Sequence, residues 1–138
     1  DNKFFLLYLL KNELITITDP IYNQMMNKIE PNGFRFCHFF IPEIEKFIGI
    51  EKVKEIKDEL LSKDPNFFTD YDIKREVGEN DSYICLLIRN DSVEEFISYI
   101  NRMKISLSIE IEPSLFETNQ FLIERKKSTF IEYSAFFG

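Results

Sequence analysis

The residues with the most reactive side chains sit together in FRFCHFFIP, where Cys37 precedes the sole histidine, His38. A thiol beside an imidazole suggests two chemistries: a nucleophile with its base, or two ligands of a zinc ion. Neither is completed elsewhere in the chain. Zinc needs three or four donors and only Cys85 remains as a thiol. Adjacent residues on a regular element point apart, which spoils a Cys–His pair. His38 is therefore expected to pack among phenylalanines, and Phe34, Phe36, Phe39 and Phe40 to form core. Asp70 and Asp72 in TDYDIKREVGEN imitate the first half of a calcium loop, but Lys74 stands where the third ligand belongs and the following glycine is missing. The carboxylate pairs Glu94–Glu95 and Glu110–Glu112 read as solvated surface, since nothing nearby would separate their pKa values for acid–base work. Gly33, Gly49, Gly78 and Gly138 each stand alone, so neither a phosphate-cradling loop nor a dinucleotide fingerprint can form. No catalytic, cofactor-binding or metal-binding residue is assigned, and the chain is expected not to be an enzyme.

Composition narrows the classes further. The chain has 138 residues, one domain's worth, and can bury roughly two-thirds of the surface it exposes when unfolded. Its 15 Phe and 6 Tyr argue against disorder. With 17 basic against 24 acidic residues the formal net charge is −7, and no basic run exceeds the triplet Arg125, Lys126, Lys127. Neither nucleic acid nor an anionic membrane surface is expected as a partner. The apolar run at residues 4–10 is far short of the roughly 20 residues that span a bilayer. Cys37 and Cys85 lie far apart among apolar neighbours, so both are expected to be reduced and buried, in a cytoplasmic protein. The chain opens on Asp1 with no basic region before its apolar run, and it closes on STFIEYSAFFG, so both ends read as cut edges of a longer protein.

The elements that position these residues are helices. Asp19-Pro20 reads as a cap and first-turn proline opening a helix that the Pro31-Asn32-Gly33 turn closes. Residues 42–48 form a second helix ended by Gly49, with Ile44, Phe47 and Ile48 on one face. EKVKEIKDELLSK is a surface helix that turns Val53, Ile56, Leu60 and Leu61 inward. A short helix follows at residues 71–77, closed by Gly78. Strand patterns at residues 14–18 and 106–111 are too short to carry a sheet, so the fold class is all-α.

The second half contains an internal echo. SYICLLIRND can be laid on TFIEYSAFFG, with Ser82 over Thr129 and Ile84 over Ile131. After the first copy, SVEEFISYINRM carries Val93, Phe96, Ile97 and Ile100 at i, i+3, i+4 and i+7, so the unit is a short apolar helix, a turn and an amphipathic partner.

TFIEYSAFFG resembles the T-P-L-H-x-A-A-x-x-G opening of an ankyrin repeat, with Thr129, Ile131, Ala135 and Gly138 in place. Phe130 replaces the proline, Glu132 the histidine and Ser134 the first alanine, which makes the repeat degenerate and removes the usual Thr–His hydrogen-bond arrangement. Residues 82–103 fit the same template more loosely, with Ser82, Ile84, Leu87 and Ile88 at the T, L, A and A positions. The step from Ser82 to Thr129 exceeds the usual period of about 33 residues, and the excess falls in residues 106–125. Residues 34–138 together are similar to the helical regions that precede the repeats in ankyrin-repeat proteins of parasitic protists.

The resemblance implies three parts: a helical N-terminal capping region at 1–77, a degenerate ankyrin-like helix pair with an extended connection at 78–126, and the first helix of a repeat at 127–138. It implies repeat packing through Ile84, Leu87, Val93, Phe96, Ile97, Ile100, Thr129, Ile131, Ala135 and Gly138, and stacking on following ankyrin repeats. The function implied is a non-catalytic protein-binding or scaffold module, its partner unidentified, with no cofactor. An exposed aromatic edge at Phe130, Phe136 and Phe137 is expected with it. The alternative is a self-contained helical regulatory or structural domain without repeats.

Overall fold

Asn2 caps the first helix, its side-chain oxygen accepting the Phe5 N–H at 3.1 Å, and α1 (Lys3–Lys11) follows. The run at residues 4–10 thus belongs to an amphipathic helix that turns Lys3, Leu7 and, less completely, Leu10 inward at i, i+4 and i+7. The computed structural model describes residues 2–31, 33–124 and 128–137; Asp1, Asn32, the triplet Arg125, Lys126 and Lys127, and Gly138 lie outside the described residues.

Pro20 occupies the first turn of α2 (Asp19–Asn27), with Thr18 rather than Asp19 at the cap. An isolated bridge between Ile29 and Arg35 then folds the chain back, and the Glu30 N–H donates to the Phe34 carbonyl at 2.8 Å. A 3-10 turn (Phe36–Phe40) runs directly into α3 (Ile41–Ile48), and α4 (Ile50–Lys63) packs against α3. Gly49 joins these two helices at φ 90°, a conformation that a side chain would strain. α4 buries Val53 and Leu60 as its periodicity requires, whereas Leu61 is exposed. The next helix, α5 (Tyr71–Val77), stops at Gly78.

These elements enclose the first hydrophobic cluster, in which Phe36, Phe39, Phe40, Ile41, Ile44, Val53, Leu60 and Tyr71 are buried and Phe34 is partly buried. His38 lies buried beside it, and its carbonyl accepts the Tyr71 hydroxyl. Two cations are enclosed as well. Arg75, only 1% exposed, reaches Glu43 at 2.6 Å and Asp72 at 3.0 Å, with its guanidinium 5.4 Å from the Phe39 and Tyr71 ring centroids. Lys3, 2% exposed, donates to Glu30 at 3.0 Å and to the Leu115 carbonyl at 2.7 Å, with its ammonium 5.1 Å from the Phe39 centroid. Each cation is thus paired with a carboxylate and set near a ring that favours positive charge.

The second cluster forms around α6 (Tyr83–Arg89), which packs against both α7 (Val93–Met103) and α9 (Phe130–Phe137). Ile84, Cys85, Ile111, Phe130 and Tyr133 are buried there, with Phe96, Tyr99, Ile100 and Leu122 of α8 (Gln120–Glu124) against them. Between α7 and α8 the chain is irregular. That segment nonetheless places Leu115 and Phe116 in the first cluster and Ile111 in the second. No strand occurs among the described residues beyond isolated bridges, and the class is all-α.

Removing one member of an enclosed ion pair strands the other charge. Lys3→Met is expected to lower stability by about 3–5 kcal/mol, and Lys3→Met combined with Glu30→Leu to recover most of that loss. Urea unfolding of the three proteins checks this; a single variant as stable as the parent would show that the pair is not enclosed in solution.

Candidate binding surface

The two thiols and the imidazole are buried, and the thiols lie in separate clusters. Cys37 belongs to the first cluster and Cys85 to the second; both are free, and burial pushes both thiols up from their ordinary value, against the thiolate a nucleophile needs. Burial also lowers the His38 imidazole below its usual range, and its Nδ1 has no hydrogen-bond partner. No group of three or more His, Cys, Asp or Glu residues placed to hold a metal occurs among the described residues. Asp70 sits in the left-handed region at φ 53° and leads into α5, while Asp72 pairs with Arg75. A groove of about 720 Å³ runs between α3, α4 and the start of α5, and the Glu45–Lys57 ion pair lines it. Lys46 and Asp72 are its other charged lining residues, and Asp72 is held by Arg75.

What the structure builds with more definition is the arrangement of α6, α7 and α9. A seam of polar contacts fixes it. The Thr118 N–H and hydroxyl both donate to the Gly78 carbonyl, at 2.9 and 2.8 Å. At Gly78, φ 70°, an added Cβ would lie 3.0 Å from the Thr118 hydroxyl oxygen and 3.2 Å from the Phe4 ring, so close approach as well as conformation demands glycine. Asn80 donates its N–H to Glu117 at 3.2 Å and its side-chain amide to the Glu112 carbonyl at 3.0 Å, while its side-chain oxygen accepts the Ser82 N–H at 3.0 Å. Ser114 donates to Asp81 at 2.7 Å. Arg89 then ties the seam to α9, donating at 2.7 Å to both the Asn80 carbonyl and the Tyr133 hydroxyl, with Glu79 at 2.5 Å.

α9 is also held at its start. Thr129 accepts the Glu132 N–H on its hydroxyl at 3.3 Å, and Glu132 accepts the Thr129 N–H at 2.9 Å, a reciprocal capping box. Glu132, which stands where the ankyrin motif has histidine, thus supplies a different hydrogen-bonded closure with the same threonine. Just ahead, Glu110 and Thr129 form an isolated bridge, and the Ile111 N–H donates to the Ser128 carbonyl at 2.7 Å.

The residues expected to pack repeats divide between the two sides of this arrangement. Ile84 and Leu87 are buried, and Phe96 and Ile100 are partly buried against the second cluster. Val93 and Ile97 face solvent at 54% and 49% exposure, one helical turn apart on α7. Thr129 is half-buried as the cap, Ile131 is 54% exposed, Ala135 is exposed, and Gly138 lies outside the described residues. The expected aromatic edge needs correction at Phe130. Phe130 and Tyr133, three residues apart, turn onto α6 and are buried, and Phe136 alone of the named aromatics is largely exposed, stacked on Phe121 at 5.8 Å. Tyr99 joins the second cluster without having been singled out, although its i+3 spacing from Phe96 was a usable signal. Asn80, Arg89 and Glu117 had none, because their partners are remote in sequence.

Comparison with protein-family models, with curated proteins and with solved structures finds no match for this chain.

Glu117 supplies a test of the seam. Burial raises its carboxyl above the ordinary 4.5, against the opposing effect of the Asn119 and Asn80 N–H donors. The folded state therefore holds this proton more tightly than the unfolded chain. The resulting stabilisation is complete below the unfolded pKa and is lost as pH rises through the folded one. Relative to Glu117→Gln, the parent should lose stability as pH rises from the ordinary carboxylate range towards neutrality, read as the difference in urea midpoints. A difference moving in the parent's favour over that range would contradict an enclosed carboxyl.

Proposed function

We propose that this chain is a non-catalytic protein-binding module, the helical N-terminal part of a cytoplasmic ankyrin-type scaffold whose exposed edge stacks on following repeats. The observation that carries the proposal is exposed apolar surface on two helices, Val93 with Ile97 on one face of α7 and Ile131 on α9, beside a firmly packed α6. In stacked repeats each unit contacts its neighbour through such faces. Support also comes from α9 packing on α6, the two helices that the internal echo sets in register, and from the Thr129–Glu132 closure at the start of α9. The two free thiols, buried in separate clusters, accord with a reducing compartment. No helix among the described residues is long and apolar enough to cross a membrane.

One observation favours the self-contained alternative. Phe130 and Tyr133 already find their partners inside the second cluster, so α9 is packed without any further unit.

Dye binding and self-association separate the two readings. The chain is expected to bind a hydrophobic dye and to associate as its concentration rises, and Ile97→Glu combined with Ile131→Glu to abolish both. Both sites are exposed, so the unfolding midpoint should move by no more than about 0.5 kcal/mol in stability. A parent that stays monomeric and dye-free favours the self-contained domain. Reading the coding sequence beyond residue 138 for units of about 33 residues tests the stacking itself.

A further inference from the structure

A pocket of about 270 Å³ is lined by residues of α6 and α7. Two of its six lining residues are tyrosines. Tyr83 of α6 and Tyr99 of α7 meet edge to face, with centroids 5.1 Å apart and planes at 67°, so their rings form two walls of a corner. Glu94 and Glu95, from the first turn of α7, stand at the pocket with no ion-pair partner among the described residues. Ser98 and Arg102 complete the lining.

Acidic residues in a first helical turn are ordinary, because they complement the helix dipole. That accounts for the sign of Glu94 and Glu95 but not for the aromatic corner beside them. Nor does it account for the position of Arg102. This side chain makes no ion pair among the described residues, and its guanidinium lies 5.7 Å from the Tyr99 centroid. The chain's own guanidinium, three residues further along the same helix, therefore already lies beside one wall, a planar cation near an electron-rich ring, while Glu94 and Glu95 line the same pocket without pairing with it.

We propose that the Tyr83–Tyr99 corner with Glu94 and Glu95 is a binding site for an arginine side chain of a protein partner, with Arg102 as the resident group that the incoming guanidinium displaces. The inference rests on the protein-binding reading above, since it names the chemistry of one partner contact. It uses a different surface from the Val93–Ile97 face of α7 and from Ile131 of α9. Several features favour arginine. Its guanidinium matches the group already seated on Tyr99, it can take a carboxylate on one edge while stacking on a ring, and the net charge of −7 attracts a basic partner. A weak, saturable contact follows, because the site is open and Tyr83 is 51% exposed.

The test is an NMR titration of the whole chain with a blocked Gly-Arg-Gly peptide, with the citrulline peptide of the same shape as the neutral control. Saturable shifts are expected at Tyr83, Glu94, Glu95, Tyr99 and Arg102 with the arginine peptide alone. Glu94→Gln with Glu95→Gln should weaken binding about tenfold. Arg102→Gln should strengthen it, since the competitor is gone; a structural role for Arg102 would predict the reverse. Equal shifts with the citrulline peptide, no saturable shift in either the parent or Arg102→Gln, or weaker binding by Arg102→Gln would each overturn the proposal. Dye binding and self-association read the other surface. Their loss with arginine binding intact would refute the stacking edge alone, and their persistence without arginine binding would refute this site alone.

Discussion

The architecture depends on how the irregular segment between α7 and α8 is held against the short link between α5 and α6. Neither strip has a helix of its own to satisfy its backbone, and where the two meet, at 78–80 and 114–117, both are largely buried, so their polar groups must find one another. Gly78, Asn80 and Asp81 on one strip and Glu112, Ser114, Glu117 and Thr118 on the other do this through side chains as much as through backbone. The same segment drops Leu115 and Phe116 into the first cluster and Ile111 into the second. Loss of the seam would therefore separate the two cores from each other rather than open either one alone. Arg89 extends this constraint to α9, so the placement of the exposed Ile131 follows from contacts made at Asn80.

The aromatic richness of the chain has a second consequence in the first cluster. Phenylalanine rings supply apolar area, but their faces also carry negative potential, and Phe39 has both the Lys3 ammonium and the Arg75 guanidinium within 5.4 Å of its centroid. With Glu30 and Glu43 as counter-ions, the two cations become crosslinks: Lys3 ties α1 to the 29–35 turn and to Leu115, and Arg75 ties α5 to α3. Replacing either by an apolar residue alone leaves a carboxylate stranded, which makes the pairs mutually dependent. The Tyr83–Tyr99 corner repeats the chemistry at the surface, where Arg102 is exposed and replaceable.

The helices of the first half were largely legible because their signals are local. Proline near a start, glycine at an end and apolar spacing of three and four residues are properties of short windows, and α3, α4 and α5 obey them closely. Burial was less legible where a helix has two apolar faces. α7 spaces Val93, Phe96, Ile97 and Ile100 as one stripe, yet only Phe96 and Ile100 meet α6, because Tyr99 fills the remaining contact from the other side. The tail was read as unsatisfied, whereas its Phe130 and Tyr133 find α6, Phe136 stacks on Phe121, and Ile131 stays exposed.

The sequence by itself determined the all-α class, the positions of most helices, the aromatic core around Phe36, Phe39 and Phe40, and the lack of a recognisable catalytic motif. Each rests on residue type and near-neighbour spacing. Tertiary structure alone decided the enclosure of Lys3 and Arg75, the seam between Gly78–Asp81 and Glu112–Thr118, the bare faces of α7 and α9, and the tyrosine corner. These depend on which residues distant in the chain are brought together, and a buried ion pair or a ring–ring corner leaves no periodic mark in the amino-acid order.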